Sequence, residues 1–439
     1  MIKKTTAILF MALLGATGNA QEPCASGRYA SDVFSNVTVT SDITYGFNYT
    51  FSNQPKTLKL DLYQPSADNE TKRPLIFWVH GGSFLGGTKS DADMVTLATA
   101  FAKKGYVCAS IDYRTGFFPI DSANSIKAVL RAVHDLRAAV RYFYKDAQEG
   151  DLYKIDTTNI FIGGYSAGAI TALHYAYLDK TCEVSESGYI NQATLDQVGG
   201  MEGLSGNPCY SDDIKGVINI AGALARYNWL ETGDVPFVSV HGTADGTVGY
   251  NRQIVNPGVE LMYLDGSRML YEQAQAVGVD NSFYTFYGQG HGFYAGAGAS
   301  ALAHMDTTQR VIRDFLIDQL GCTNAPLQAL NTPAETATLY AVQDCSAHIP
   351  FLDCTAAGLE NNEQNSFSIV PNPASTNFII NTEADGFNWI LSDMNGRIVI
   401  SGEESSYETS VDVSGVSSGI YMITVERNGL SRTERVIVD

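Results

Sequence analysis

Basic side chains are scarce: 28 lysines and arginines face 47 aspartates and glutamates, a net charge of −19 over 439 residues. Nucleic acids and anionic membrane surfaces bind through basic patches, so neither is expected as a partner. Long apolar runs are missing too. No stretch beyond the N-terminal segment approaches the ~20 residues that cross a bilayer, so stable membrane insertion is not expected. Cysteine occurs at 24, 108, 182, 209, 322, 345 and 354, with no Cys-x-x-Cys and no tight Cys/His cluster. Zinc-ribbon and thioredoxin-like folds lose their main signature, and the sequence asks for no metal and no cofactor. Charged residues make up only 17% against 45% hydrophobic ones, which excludes disorder as the main state and provides a sizeable core. At roughly 150 residues per domain, two or three units are expected.

Residues 1–20 read as an export signal. Lys3 and Lys4 form the basic start, Ala7–Leu14 the apolar stretch, and Gly18-Asn19-Ala20 a small-residue cleavage site. The apolar stretch is far too short for a membrane anchor. Cys24 does not stand where a lipoprotein cysteine would, because Gln21-Glu22-Pro23 precede it. The exported chain enters an oxidising compartment, where disulfides persist. Cys108 falls inside an apolar strand and is expected as a free, inert thiol. The other cysteines flank loops. Cys182 with Cys209 and Cys345 with Cys354 are the expected pairs, leaving Cys24 with Cys322, among the 15 connectivities that six cysteines allow.

From Leu75 the chain alternates short apolar strands with amphipathic helices. Leu75–Val79, Tyr106–Ile111, Asn159–Ile162, Ile214–Ile220, Pro236–Val240 and Ser282–Tyr287 have the character of strands buried on both faces. Ser125–Tyr144 and Ala301–Leu320 carry apolar residues at helical spacing. Such alternation predicts an α/β fold with a doubly wound, mostly parallel sheet. The Val33–Tyr63 region reads as leading antiparallel strands. Residues 323–366 form a connector, Ala/Thr-rich and cysteine-containing to 354, then a polar linker Thr355–Ser366. Phe367–Asp439 is a small all-β sandwich, with strands Phe378–Asn381, Trp389–Ser392, Arg397–Ser401, Ile420–Arg427 and Arg432–Val438 and turns at Met394-Asn395-Gly396 and Arg427-Asn428-Gly429. The expected divisions are 1–20, 21–322, 323–366 and 367–439.

Gly164-Tyr165-Ser166-Ala167-Gly168 fits Gly-x-Ser-x-Gly, a pattern that chance alone supplies roughly 0.3 times in a chain of this composition. Gly415-Val416-Ser417-Ser418-Gly419 fits as well, but no helix follows it. Ser166 has the required context, strand Asn159–Ile162 before the turn and helix Ala167–Tyr177 after it. There a sharp turn lifts the hydroxyl above the sheet and aims the helix N-terminus at a developing oxyanion. The loop His80-Gly81-Gly82-Ser83-Phe84 follows the first strong strand, and its glycines let backbone N–H groups approach a reacting carbonyl. Ala167 N–H completes that oxyanion hole, with Gly82 or Ser83 as the other donor. His80 is expected to stabilise the turn.

A base and an orienting acid must come from later loops. His291, in Gly288-Gln289-Gly290-His291-Gly292-Phe293, lies at the same sheet edge as Ser166, whereas His304 and His348 read as structural. Asp245, in His241-Gly242-Thr243-Ala244-Asp245, can hold the imidazole tautomer. Asp234 stands at the wrong edge of the sheet, and Asp112 is expected to pair with Arg114.

The order Ser166, Asp245, His291, with the motifs around Gly82, Ser166, Asp245 and His291, resembles secreted carboxylesterases of the α/β-hydrolase superfamily over residues 56–320. The similar branch holds feruloyl and acetylxylan esterases and some lipases. One departure is His-Gly-Gly-Ser in place of a three-glycine loop. Ile369-Val370-Pro371-Asn372-Pro373-Ala374, Met394-Asn395-Gly396-Arg397 and Val413–Tyr421 resemble the sorting domain of the type IX secretion system. That resemblance implies a Bacteroidota source and type IX machinery as partner. The protein would be secreted or at the cell surface of a Gram-negative bacterium, with the tail removed or used for attachment. A carbohydrate-binding β module is the alternative.

The expected reaction is serine-dependent hydrolysis of a carboxylic ester through an acyl-enzyme. A prolyl-oligopeptidase-like exopeptidase shares the triad order but usually carries a large propeller before the hydrolase domain, for which the roughly 50 residues between the expected export signal and Leu75 leave little room. A catalytically dead binding protein on the same fold is the third reading. The short Ile220–Pro236 connection and the polar insertion Asp179–Asp213 suggest an open cleft suited to bulky or polymeric esters, such as feruloyl or acetyl polysaccharide esters or an aromatic polyester. Tyr165, Tyr210, Tyr227 and Trp229 are its candidate walls, with packing of the domain as the other reading of the last three.

Overall fold

The computed structural model describes residues 24, 26–186, 188–322, 327–334, 336–342, 367–382, 386–393, 397–427 and 430–438. The export signal, the linker Thr355–Ser366, Cys345, His348, Cys354 and the tips of both sandwich turns lie outside them. The chain divides into two units, Met1–Ile349 and Pro350–Asp439.

In chain order the first unit contains β1 (Val37–Tyr49), β2 (Pro55–Pro65), β3 (Arg73–Val79), α1 (Ala92–Lys103), β4 (Val107–Ile111), α2 (Ser122–Glu149), β5 (Ile155–Tyr165) and α3 (Ala167–Tyr177). Then come α4 (Thr181–Glu186), α5 (Gln192–Val198), β6 (Gly216–Ile220), β7 (Ala223–Leu224), β8 (Phe237–Gly242), β9 (Arg252–Ile254), β10 (Tyr263–Gly266), α6 (Ser267–Val277), β11 (Asn281–Phe286) and α7 (Ala299–Gln319). Eight strands form one sheet in the order β1-β2-β4-β3-β5-β6-β8-β11. β1, β2 and β4 are joined by antiparallel pairs, and every pair from β4 through β3, β5, β6 and β8 to β11 is parallel. The α/β reading of the sequence therefore holds.

Burial on both faces explains why the central strands show no polar alternation. Each residue of β3, β4, β6 and β8 is buried. Alternate side chains still choose opposite faces. Leu75, Phe77 and Val79 join Val133, Leu136, Val140 and Phe143 of α2 and Ile170 and Leu173 of α3. Ile76 and Trp78 join Leu97 and Phe101 of α1 and Val311, Ile312 and Phe315 of α7 on the other face. Removing one such aromatic side chain costs about 3–5 kcal/mol.

Three features differ from the sequence reading. A second sheet, β7-β10-β9, branches off beyond β6. Arg114 pairs with Asp135 of α2, not Asp112, which instead accepts Lys89 N–H at 2.8 Å. The described part of the connector packs on the first unit, with Ala337, Leu339, Tyr340 and Val342 against its core and Asn331 bridged to Tyr284 of β11. Cys24 is bonded to Cys322, Cys182 and Cys209 each take part in a disulfide, and Cys108 is a buried free thiol whose pKa burial pushes up.

The second unit is all β: β12 (Phe367–Val370), β13 (Asn377–Thr382), β14 (Phe387–Asp393), β15 (Ile398–Glu404), β16 (Glu408–Asp412), β17 (Gly419–Arg427) and β18 (Leu430–Val438). They form sheets β12-β13-β16 and β15-β14-β17-β18, entirely antiparallel. Phe378, Ile380, Trp389, Leu391, Val411, Ile423, Val425 and Val436 make its core. The sequence hides β16 because Val411 is its only buried side chain.

Candidate active site

The turn between β5 and α3 puts Ser166 at φ 55° and ψ −118°, backbone geometry that a non-glycine residue adopts only when its surroundings impose it. Close packing imposes it here. A Cβ on Gly164 would lie 2.2 Å from Val79 O, and one on Gly168 1.9 Å from the same oxygen, so both glycines are needed for the turn to seat against β3. Ser166 N–H donates to Ile220 O at 2.9 Å, tying the turn to the end of β6.

Two loops at the same sheet edge meet the serine. Its Oγ donates to His291 Nε2 at 2.8 Å, and His291 Nδ1–H donates to Asp245 Oδ2 at 2.6 Å. Asp245 comes from the loop after β8 and His291 from the loop after β11, which pair in parallel and so end side by side. The Tyr165 ring stacks on the His291 imidazole at 5.1 Å and its OH donates to His291 O at 2.9 Å. His304 on α7 donates from Nδ1 to Phe293 O at 2.6 Å and steadies the same loop.

His241, on β8, is a further participant that sequence reasoning missed. Wholly buried, it donates from Nε2 to Asp245 Oδ2 at 3.2 Å and to Val248 O at 3.0 Å. With Nε2 protonated, Nδ1 accepts the Ser267 hydroxyl at 2.7 Å, and Ser267 Oγ accepts from Asn219 Nδ2 at 2.9 Å. Asp245 Oδ1 accepts the N–H groups of Thr247 and Val248, each at 2.9 Å. Burial alone would raise the Asp245 pKa, but the hydrogen bonds from His241 and His291 hold it well below the usual carboxylate range. The only sequence signal for His241 is its place four residues before the acid, near the end of the strand that leads into the acid's loop.

Gly82, Ser83 and Phe84 all have positive φ, at 108°, 57° and 59°. A Cβ on Gly82 would lie 2.3 Å from Gly86 O. His80 holds the loop from beneath, stacked on Tyr113 at 4.3 Å with Nδ1 donating to Gly81 O at 2.7 Å. Among the described residues no acceptor takes the N–H groups of Gly82, Ser83 or Ala167.

Ser83, Phe84, Ser166 and Ala167 open onto a cavity of about 250 Å³, walled by Phe117, Ile126, Val129, Leu130, Ile170, Leu178, Trp229, Val248, Leu261 and Met262 among others. The expected open cleft is thus partly closed. The Asp179–Asp213 insertion contributes Glu183, Val184 and Tyr189 to its walls, and Val255–Leu264 closes another side. Trp229 lines the cavity, while Tyr210, bonded to Glu149, and Tyr227, bonded to Tyr340 O, do not. Asp234 accepts from Glu231 N–H and takes no part in the Asp245 network. Ser417 sits between β16 and β17, where its carbonyl accepts the Tyr421 hydroxyl at 2.7 Å. Among the described residues no cluster of side chains is arranged to hold a metal, and no helix is long and apolar enough to cross a membrane.

Residues 60–201 match the BD-FAE family model, a span that includes the His80 loop and the Ser166 turn and ends before Asp245 and His291. Curated relatives include gut esterase 1 of Caenorhabditis briggsae, 30% identical over 145 residues, 31% of this chain and 25% of that one. A carboxylic ester hydrolase of Bombus ignitus is 26% identical over 125 residues, 28% of this chain and 21% of that one. The matched stretch therefore spans about a quarter or less of these relatives' length. Among solved structures, a thermophilic esterase of Thermogutta terrifontis with propionate bound is similar, with 21% identity, a TM-score of 0.46, and coverage of 63% of this chain and 93% of that one. Residues 368–439 match the secretion system C-terminal sorting domain. The chain thus joins an α/β unit, in which residues 60–201 are similar to the BD-FAE family model, to a C-terminal unit that is similar over residues 368–439 to the secretion system sorting domain.

Proposed function

We propose that this protein is a secreted serine hydrolase of carboxylic esters, exported by the type IX machinery through its C-terminal domain. The observation that carries the reading is the hydrogen-bonded line from Ser166 Oγ through His291 to Asp245. As Oγ attacks the ester carbonyl, His291 Nε2 takes its proton and Asp245 stabilises the imidazolium. Negative charge collects on the former carbonyl oxygen, where the N–H of Ala167 and that of Ser83 or Gly82 can donate. His291 then protonates the leaving alcohol, and water activated by the same imidazole releases the acid.

The make-up of the cavity wall supports burial of the acyl half of the ester. His291, which must reach the leaving oxygen, is absent from its walls, whereas Ser83 and Ala167 belong to them. The acyl group therefore enters the cavity and the alcohol leaves on the His291 side, whose side chain is 18% exposed. A buried acyl pocket with an open alcohol side suits esters of bulky or polymeric alcohols, polysaccharides and polyesters included. Nitrophenyl esters, acetylated xylan, methyl ferulate and polyester film, assayed with the wild type and with Ser166→Ala, test the reading. Turnover that survives Ser166→Ala, or no turnover of any ester by the folded wild type, overturns it.

A further inference from the structure

Asp265 of β10 is wholly buried, and donors from three segments converge on its carboxylate. Tyr340, in the described part of the connector, donates its hydroxyl to Oδ2 at 2.6 Å. The N–H of Tyr227 donates to the same oxygen at 2.9 Å, and Arg252 of β9 donates from Nη1 to Oδ1 at 2.9 Å. Arg252 Nη1 also donates to the Tyr340 hydroxyl at 2.7 Å, and its guanidinium lies over the Tyr340 ring at 4.3 Å. From the other side the Tyr227 hydroxyl donates to Tyr340 O, and the two rings meet edge-on at 4.9 Å. Burial, and then the Asp265 carboxylate, push the Tyr340 pKa up, so its phenol remains a donor.

The segments that meet at Asp265 also wall the cavity beside Ser166. Arg226 and Trp229 flank Tyr227 within one short turn, Arg252 begins β9, and Tyr263 and Leu264 directly precede Asp265; all five line the cavity. Tyr340 does not line it, so it acts on the cavity only through these neighbours. Removing its hydroxyl leaves a buried acceptor short of a donor, and the segments held there must shift or admit water.

We propose that the connector completes the acyl cavity, with Tyr340 as a positioning residue that holds the Trp229 turn and the β9–β10 wall in register around Asp265. An acyl chain long enough to press on those walls is bound through them, whereas an acetyl group stays beside Ser166 and is not. The inference rests on the esterase reading and on the placement of the acyl group in the cavity.

The test compares nitrophenyl hexanoate with nitrophenyl acetate in the full chain. Tyr340→Ala is expected to raise KM at least fivefold for the hexanoate and less than twofold for the acetate, with the change in KM rather than in kcat. Tyr340→Phe keeps the ring over Arg252 and loses the hydroxyl's bonds to Asp265 and Arg252, so its KM for the hexanoate should fall between those of Tyr340→Ala and the wild type. A KM that rises equally for both esters, or for neither while the melting temperature drops, makes Tyr340 a packing residue; either result overturns the inference and leaves the esterase reading standing. Absence of turnover by the wild type on both esters and on every other nitrophenyl ester overturns the esterase reading instead. Should Tyr340→Ala not fold, Tyr340→Phe decides, with at least a twofold rise in the hexanoate-to-acetate KM ratio as support and an unchanged ratio as refutation.

Discussion

His241 and His291 share one oxygen: both imidazoles donate to Asp245 Oδ2, at 3.2 and 2.6 Å. One ring faces the nucleophile and the other faces the core, so the carboxylate is clamped between the site and the interior. Ser267 and Asn219 extend the clamp to β6, which ties the acid's orientation to the sheet as well as to its own loop.

Ser166→Ala and His291→Ala should each lower kcat by roughly 10⁴- to 10⁶-fold, since the proposed triad acts as a unit. Ser417→Ala should leave kcat at the wild-type value. Steady-state kinetics on a nitrophenyl ester checks all three, and near wild-type turnover by Ser166→Ala would remove the mechanism.

His241→Phe removes one donor from a buried carboxylate without touching substrate. A loss of roughly 10- to 100-fold in kcat is expected, the worth of one hydrogen bond to a charged group, with KM little changed. His241→Gln retains a donor and should recover part of the rate. A rise in KM with kcat intact would assign His241 to substrate binding instead.

The depressed Asp245 pKa has a defined sign for stability. A carboxylate held below its unfolded value stabilises the fold fully above about pH 4–5, and loses that contribution as pH falls through the depressed value. Asp245→Asn lacks it at every pH. The gap in melting temperature between wild type and Asp245→Asn should therefore be widest near neutrality and shrink below pH 4. A constant gap would show that the carboxylate's hydrogen bonds carry no ionic stabilisation.

Arg114 and Asp135 form a buried pair with side chains 4% and 0% exposed, and Ser205 donates to the same carboxylate at 2.6 Å. Asp135→Leu strands the guanidinium and should cost about 3–5 kcal/mol in urea unfolding. A loss below 1 kcal/mol would mean that water reaches Arg114.

A chain ending near Asn365 should hydrolyse small soluble esters with kcat/KM within about threefold of the full chain. In the native host it should stay in the periplasm. If the β unit instead binds substrate, the truncation will spare small esters and weaken action on a polymer. Loss of small-ester activity in a folded truncation would mean that the β unit completes the site.

The sheet was legible because its central strands are short, apolar and separated by amphipathic helices, and α3 begins and ends where the pattern places it. Ser166, Asp245 and His291 were legible because each follows a strand at one sheet edge, in a loop rich in glycine. Partners fixed only by the folded path were not. Arg114 stands two residues from Asp112, yet the Arg114 backbone N–H and guanidinium both point to α2, where Asp135 accepts from each. The sheet β7-β10-β9 is built from strands of two to four residues, too short to show any period. The cavity walls come from α2, α3, the Asp179–Asp213 insertion and the Val255–Leu264 stretch, an assembly with no local trace in the chain.

The bond between Cys24 and Cys322 joins positions 298 residues apart, so every helix and strand of the first unit lies within one covalent ring. The sorting domain follows that ring in the chain. Tension applied between the chain outside positions 24 and 322 would pass from Cys322 to Cys24 through the sulfur bridge, and the strands and loops that carry Ser166, Asp245 and His291 would stand outside that line of force.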